Sequence, residues 1–192
     1  MPDPRRWTTL STRTLVERWW MTLRVDRVQL PHGPVLDEFH VAEYPDWACV
    51  LALTARGEAV LVEQYRYGID RISLECPAGA IDGYEAPLAA AQRELLEETG
   101  YRAERWTGLG ALAIEPARHT NYGHLYVAHD VERVADPSLD EAEDLAVRLV
   151  PADRLTALVR AGEIVHGIHA AAIFRAAYDG LLPAEPGAAA GR

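Results

Sequence analysis

Cysteine is scarce in this chain. Cys49 and Cys76 are the only two in 192 residues. Both sit in apolar, strand-like runs without CxxC spacing, which excludes a disulfide framework and leaves two buried, reduced thiols as the reading. A cytoplasmic setting is therefore expected. Basic residues are also short: 19 Lys and Arg stand against 29 Asp and Glu, for a net charge of -10. A general nucleic-acid binder needs a basic face to neutralise phosphates, so that class is excluded. A small phosphate ligand held by metal ions and a few arginines is not. No run approaches the roughly 18 apolar residues of a membrane span. The start, MPDPRRWTTLSTRT, is polar and lacks the apolar core of a signal peptide. No internal repeat is visible. What remains, at 49% hydrophobic and 25% charged, is one domain with a substantial core and room for a small appended element.

Residues 1–14 read as a polar, basic arm. LVERWWMTLRVDRVQL (15–30) alternates over Met21, Leu23 and Val25, the period of a strand. Pro31-His32-Gly33-Pro34 turns the chain, and VLDEFHVAEY returns as the second arm of a hairpin. Two strands alone are marginal in water. This hairpin, with Trp19 and Trp20 at its start, is therefore expected to pack on the main domain or on a second copy of the chain. WACVLALT (47–54) and AVLVEQYR (59–66) are apolar runs suited to strands covered on both faces. ISLECPAG gives a short strand, and further strands are expected over 106–114, 122–129 and 145–150. Helices are expected over 151–161 and 168–178, and the tail AEPGAAAGR reads as disordered. The order implies an α+β or mixed α/β fold, with helices packed on a mixed sheet.

One stretch organises the rest: GAIDGYEAPLAAAQRELLEETGY, from Gly79 to Tyr101. Pro87 suits the first helical turn and Gly100 the position just past the last. Leu88, Ala91 and Leu95 share one stripe, expected to face the sheet. Glu94 and Glu98 stack one turn apart along its rim, and Arg93 pairs with Glu97 at the same spacing. With Glu85 ahead of the helix, four carboxylates share one guanidinium. At an effective dielectric of about 20, two unit charges 4 Å apart repel by roughly 4 kcal/mol. Lysines are missing at the partner positions, which argues against a merely solvated acidic face. Clustered hard oxygens suit Mg²⁺ or Mn²⁺, whose shells are completed by water and phosphate oxygens.

The spacing from Gly79 through Glu85 to Arg93-Glu94-Leu95-Leu96-Glu97-Glu98-Thr99-Gly100-Tyr101 matches every position of the Nudix box. The chain thus resembles the Nudix hydrolases, from about Met21 to Leu182. Within them it is similar to the ADP-ribose pyrophosphatase group, through Glu63-Gln64-Tyr65-Arg66, Glu75-Cys76-Pro77-Ala78-Gly79, Pro116 and the acidic Glu141-Ala142-Glu143-Asp144-Leu145. The resemblance implies an α/β/α sandwich around a mixed sheet, with an N-terminal antiparallel hairpin that builds a homodimer. It also implies divalent-metal-dependent cleavage of a nucleoside diphosphate sugar into a nucleoside monophosphate and a sugar phosphate. The implied division is an arm and hairpin over 1–46, a catalytic domain over 47–182 and a tail over 183–192.

By the same resemblance Glu94 and Glu98 would bind Mg²⁺ (or Mn²⁺), with Glu97 close by and the Ala78 carbonyl completing a site. Arg93 would hold the cluster, and Arg66 would contact the substrate. A carboxylate must deprotonate the attacking water, and Glu141 and Glu143 are the candidates, with Glu143 preferred. After the box the chain departs from the group's Ser-Pro-Gly followed by an acidic residue: it reads Glu115-Pro116-Ala117-Arg118-His119-Thr120-Asn121. Pro116, Arg118 and His119 fall where substrate would lie, so a UDP-sugar, a GDP-sugar or NADH is the alternative to ADP-ribose. A non-catalytic nucleotide-sugar sensor is the reading of a different class. His166 and His169 read as packing or surface residues, not ligands.

Overall fold

The computed structural model describes residue 3, residues 5–141 and residues 143–184. The expected tail thus falls, from residue 185, outside the described residues. The chain forms two units, Met1–Asp46 with Ala113–Tyr122, and Trp47–Leu112 with Gly123–Arg192.

The first unit is built on an antiparallel sheet of β1 (Thr8–Arg18), β2 (Met21–Gln29) and β3 (Val35–Glu43), in that order. The arm read from the sequence is therefore largely strand. Its side chains are exposed apart from a partly covered Val16, so no buried face imposed an alternating pattern on the sequence. Trp19 and Trp20 form the β1–β2 turn instead of opening a strand. They do not fill the core of this chain: Trp19 is 94% exposed. Gly33, at φ 106°, makes the β2–β3 turn, a conformation that favours glycine. Trp7 packs edge-on to Phe39 at 5.5 Å. The 113–122 segment joins this unit through Ala42, whose N–H donates to the Arg118 carbonyl and whose carbonyl accepts from Thr120.

The second unit holds a mixed sheet of β4 (Trp47–Leu53), β5 (Glu58–Arg66), β9 (Arg105–Ala113), β10 (Tyr122–His129) and β12 (Leu145–Pro151), in the order β12-β5-β4-β10-β9. β6 (Arg71–Glu75) pairs with β5, and β7 (Ala78–Ala80) pairs with β4. Only the β4–β10 register is parallel among the pairings described for this sheet. The helices are α1 (Pro87–Thr99), α2 (Leu155–Ala161) and α3 (Gly167–Tyr178).

Successive strand residues point to opposite faces, and β4 uses both. Ala48, Val50 and Ala52 join Ala90, Ala91 and Leu95 of α1 in one buried cluster. Trp47, on the other face, packs against His166 and His169 at the start of α3. Leu51, Leu61 and Leu95 are fully buried, and each such side chain contributes about 1.5–3 kcal/mol. Helices on both faces of a mixed sheet make the α/β/α sandwich. Beyond α1, β8 (Tyr101–Arg102) pairs antiparallel with β11 (Glu132–Arg133).

Candidate active site

Helix α1 starts at Pro87, whose missing N–H costs nothing in a first turn. It ends on Gly100 at φ 74°, whose N–H closes on the Leu96 carbonyl at 2.8 Å. Its buried residues are Ala90, Ala91, Glu94, Leu95, Glu98 and Thr99. The expected stripe has the right direction but begins one turn late: Leu88, in the first turn, is exposed. Glu94 and Glu98 also lie deeper than a rim position, at 8% and 4% exposure.

Strand β7 explains how two carboxylates fit there. A Cβ on Gly79 would lie 2.1 Å from Glu94 Oε1 and 2.4 Å from its Oε2. The carboxylate thus occupies the space that any other residue at 79 would fill. One residue earlier, the Ala78 N–H donates to Glu98 Oε2 at 3.0 Å. Burial raises the pKa of Glu94, and it pushes Glu98 up to about 8. The Ala78 hydrogen bond works against that rise at Glu98, while the charges of Glu94 and Glu143 add to it.

Arg93 ties loop to helix with five hydrogen bonds. Nε and Nη2 hold the two oxygens of Glu85 at 3.3 and 3.1 Å, and Nη2 also reaches the Ala80 carbonyl at 2.9 Å. Nη1 donates to Glu94 Oε1 at 2.8 Å and to Glu97 Oε2 at 3.0 Å. This planar fork places three carboxylates around one cation, which a lysine could not do. It holds Glu85 below the usual carboxylate range.

The donors suit a hard divalent ion: buried carboxylate oxygens in excess of nearby positive charge, and a glycine backbone pressed against one of them. Among the described residues, no group of three His, Cys, Asp or Glu side chains forms a ready-made cage. Glu94 and Glu98 supply two side-chain ligands, leaving backbone, water and phosphate oxygens for the rest of a shell. That balance fits Mg²⁺ better than an ion demanding an all-protein cage.

Arg66 is already engaged. Its Nε and Nη2 grip Glu75 Oε1 and Oε2 at 2.9 and 2.5 Å, and Glu75 is only 1% exposed. Burial alone would raise the Glu75 pKa, but the Arg66 guanidinium and the other groups around the carboxyl together outweigh it and hold it low. Behind this pair, His169 Nδ1 accepts from the Cys76 N–H at 3.3 Å. His169 is fully buried, stacked on His166 with ring centroids 4.3 Å apart, and held neutral by burial with its pKa down to about 3. It is a packing residue, and it also fixes the backbone one step before Pro77 and Ala78. Spacing in the sequence carries no sign of such a role. Cys49 and Cys76 are free and buried, as expected.

The acidic loop is anchored to the same helix, since Ser138 N–H donates to the Glu97 carbonyl at 2.8 Å. Glu143 folds back so that its Oε2 accepts from the Asp140 N–H at 3.0 Å. Its charge acts on both Glu94 and Glu98. Glu141 is exposed. Pro116, Arg118 and His119 belong to the first unit. There Arg118 and His119 N–H groups close a turn on the Glu115 carbonyl, and the His119 ring packs on Tyr44.

The site is thus a pair of buried carboxylates on α1, set against a strand whose Gly79 leaves them room. Residues 43–167 match the NUDIX domain model, and residues 7–42 match that of the nucleoside diphosphate sugar hydrolase N-terminal domain. The chain belongs to the Nudix family and is a hydrolase acting on pyrophosphate bonds. It is 35% identical to the methanol dehydrogenase activator of Bacillus methanolicus, over 70% of this chain and 73% of that one. It is 32% identical to the ADP-ribose pyrophosphatase of Bacillus subtilis, over 74% and 77%. A crystal structure of an ADP compounds hydrolase shares the fold, with a TM-score of 0.81 at 21% identity over 93% of this chain and 96% of that one.

Proposed function

We propose that the chain cleaves the diphosphate of an ADP-ribose-like nucleoside diphosphate sugar, giving a nucleoside monophosphate and a sugar phosphate, with Mg²⁺ as cofactor and Mn²⁺ able to replace it. The observation that carries this reading is the pair of buried carboxylates, Glu94 and Glu98, pressed against the β7 backbone, with Arg93 paired to Glu94. Glu94, Glu98 and the Ala78 carbonyl would hold the ion, with Glu97 beside them. A bound divalent ion would neutralise these carboxylates, draw charge from the diphosphate and lower the pKa of a water beside it.

The chain's own residues do the rest. Arg93 keeps Glu85, Glu94 and Glu97 in one arrangement, so little reorganisation is needed as charge develops. Glu143 takes the proton of the attacking water; the effect of its charge on both Glu94 and Glu98 supports it over Glu141. Arg66, aligned by Glu75, offers a preset cation to a phosphate oxygen. A substrate-contacting role for Pro116, Arg118 and His119 rests on the resemblance alone. The departure of the residues around Pro116 from the group's usual ones is what keeps a UDP-sugar, a GDP-sugar or NADH as the second reading. A non-catalytic sensor is disfavoured because every box glutamate is present.

Exposure of Trp19 and Trp20, together with Leu10 and Leu15 on β1, supports a homodimer formed through the N-terminal sheet. The cysteine content supports a cytoplasmic setting. The test of activity is turnover of a nucleotide-sugar panel with Mg²⁺, Mn²⁺ or EDTA. Glu98→Gln should lower kcat by at least 100-fold. If Glu143→Gln stays within about threefold of wild type while Glu98→Gln is inactive, Glu143 is not the base.

A further inference from the structure

Segment 132–138 runs antiparallel along the end of the carboxylate helix, contact by contact. Glu132 pairs with Arg102 and Arg133 with Tyr101. The N–H groups of Val134 and Ala135 then both donate to the Gly100 carbonyl, at 2.9 and 3.2 Å, and Ser138 N–H donates to the Glu97 carbonyl at 2.8 Å. Helices usually leave their last carbonyls to water or a local cap. Here a distant segment takes up that of Glu97, together with the carbonyl of the Gly100 cap.

The fit at the centre is tight. A Cβ on Gly100 would lie 2.1 Å from the Ala135 carbonyl oxygen. Gly100 thus serves twice: its φ of 74° ends the helix, and its missing side chain lets the segment lie down on it. The segment leads directly into the loop where Asp140 and Glu143 hydrogen-bond reciprocally, Glu143 N–H to the Asp140 carbonyl and Asp140 N–H to Glu143 Oε2.

We propose that residues 134–138 are a positioning strap. Docked on Gly100 and on the Glu97 carbonyl, they set the distance of Glu143 from Glu94 and Glu98. Helix and loop are then one catalytic unit although they are far apart in the chain. The proposal rests on the reading of Glu143 as base, and the experiment separates the two.

Gly100→Ala is the obvious variant, but it can disrupt the helix end as well. Ser138→Pro removes the N–H that reaches Glu97 and fixes φ at that position, whereas Ser138→Ala keeps the N–H. With ADP-ribose and Mg²⁺, Ser138→Pro should lower kcat at least tenfold with KM within twofold, and Ser138→Ala should match wild type. On a Glu143→Gln background, Ser138→Pro should change kcat by less than twofold, because the strap acts through that carboxylate. An equal loss on both backgrounds, or no loss at all, overturns the strap and leaves the base assignment standing. If Glu143→Gln alone is harmless, or ADP-ribose is not cleaved, the functional reading fails by itself and hydrogen exchange decides the strap. Amides of 139–141 and 143–145 should then exchange at least tenfold faster in Ser138→Pro than in Ser138→Ala, with those of α1 unchanged. Equal loop exchange in the two variants overturns it.

Discussion

In the metal-free protein, Glu98 keeps its proton to about pH 8, whereas in the unfolded chain it titrates near the ordinary glutamate value. Between those two points the native state binds the extra proton. Its contribution to stability is therefore full below the unfolded pKa and is lost as pH rises towards 8. Thermal melts in EDTA should show Tm falling over this interval. Glu98→Gln should flatten that fall while abolishing turnover, and Mg²⁺ should raise the wild-type Tm most at the alkaline end. A wild-type melt as flat as that of Glu98→Gln would contradict the buried-carboxylate account. Gly79 gives a second residue-scale test. Gly79→Ala should cost about 1–3 kcal/mol through overpacking, or roughly 2–4 °C per kcal/mol in a chain of this size. Adding Glu94→Ala should recover part of that loss, because the clash is with the Glu94 carboxylate. Strictly additive losses would place the strain elsewhere. The sequence pattern sets Glu94 and Glu98 on a rim, whereas in the fold they lie deeper; their depth comes from the absent Cβ of Gly79, which only the pairing of β7 with β4 reveals.

At the scale of elements, Arg93 joins the loop at Glu85 to helix α1. Arg93→Lys keeps the charge but loses the fork. It should destabilise by about 1.5–3 kcal/mol, the range for a lost hydrogen bond to a charged group, and lower kcat by at least tenfold. A Tm within 1 °C of wild type would show that the clasp does not hold the loop. Elements with one or both faces buried were legible: β4, β5, β10, α1 and α3 all lie where the apolar pattern puts them. β1 was not, since a strand exposed along nearly its whole length has no reason to alternate. The two-residue strands β8 and β11 were also missed. Their pairing depends on Gly100 accepting a segment from beyond β10, a long-range contact with no local signature. For the same reason the role of His169 became visible only once α3 was seen against Cys76.

For the molecule as a whole, the N-terminal sheet leaves Trp7, Leu10, Trp19 and Trp20 substantially exposed in the single chain. A homodimer would cover such a surface, and sedimentation should give twice the chain mass. Trp19→Ser with Trp20→Ser should shift the protein towards monomer and raise its tendency to aggregate; a fully active wild-type monomer would contradict the dimer. Neither expectation bears on the proposed chemistry, hydrolysis of a nucleotide-sugar diphosphate. The direct measurement is mass spectrometry of the products from ADP-ribose and other nucleotide sugars, incubated with Mg²⁺ in ¹⁸O-labelled water. The expected products are a nucleoside monophosphate and a sugar phosphate, one of them carrying a single ¹⁸O. An intact nucleoside diphosphate released with a free sugar, or no cleavage of any member of the panel, would contradict it.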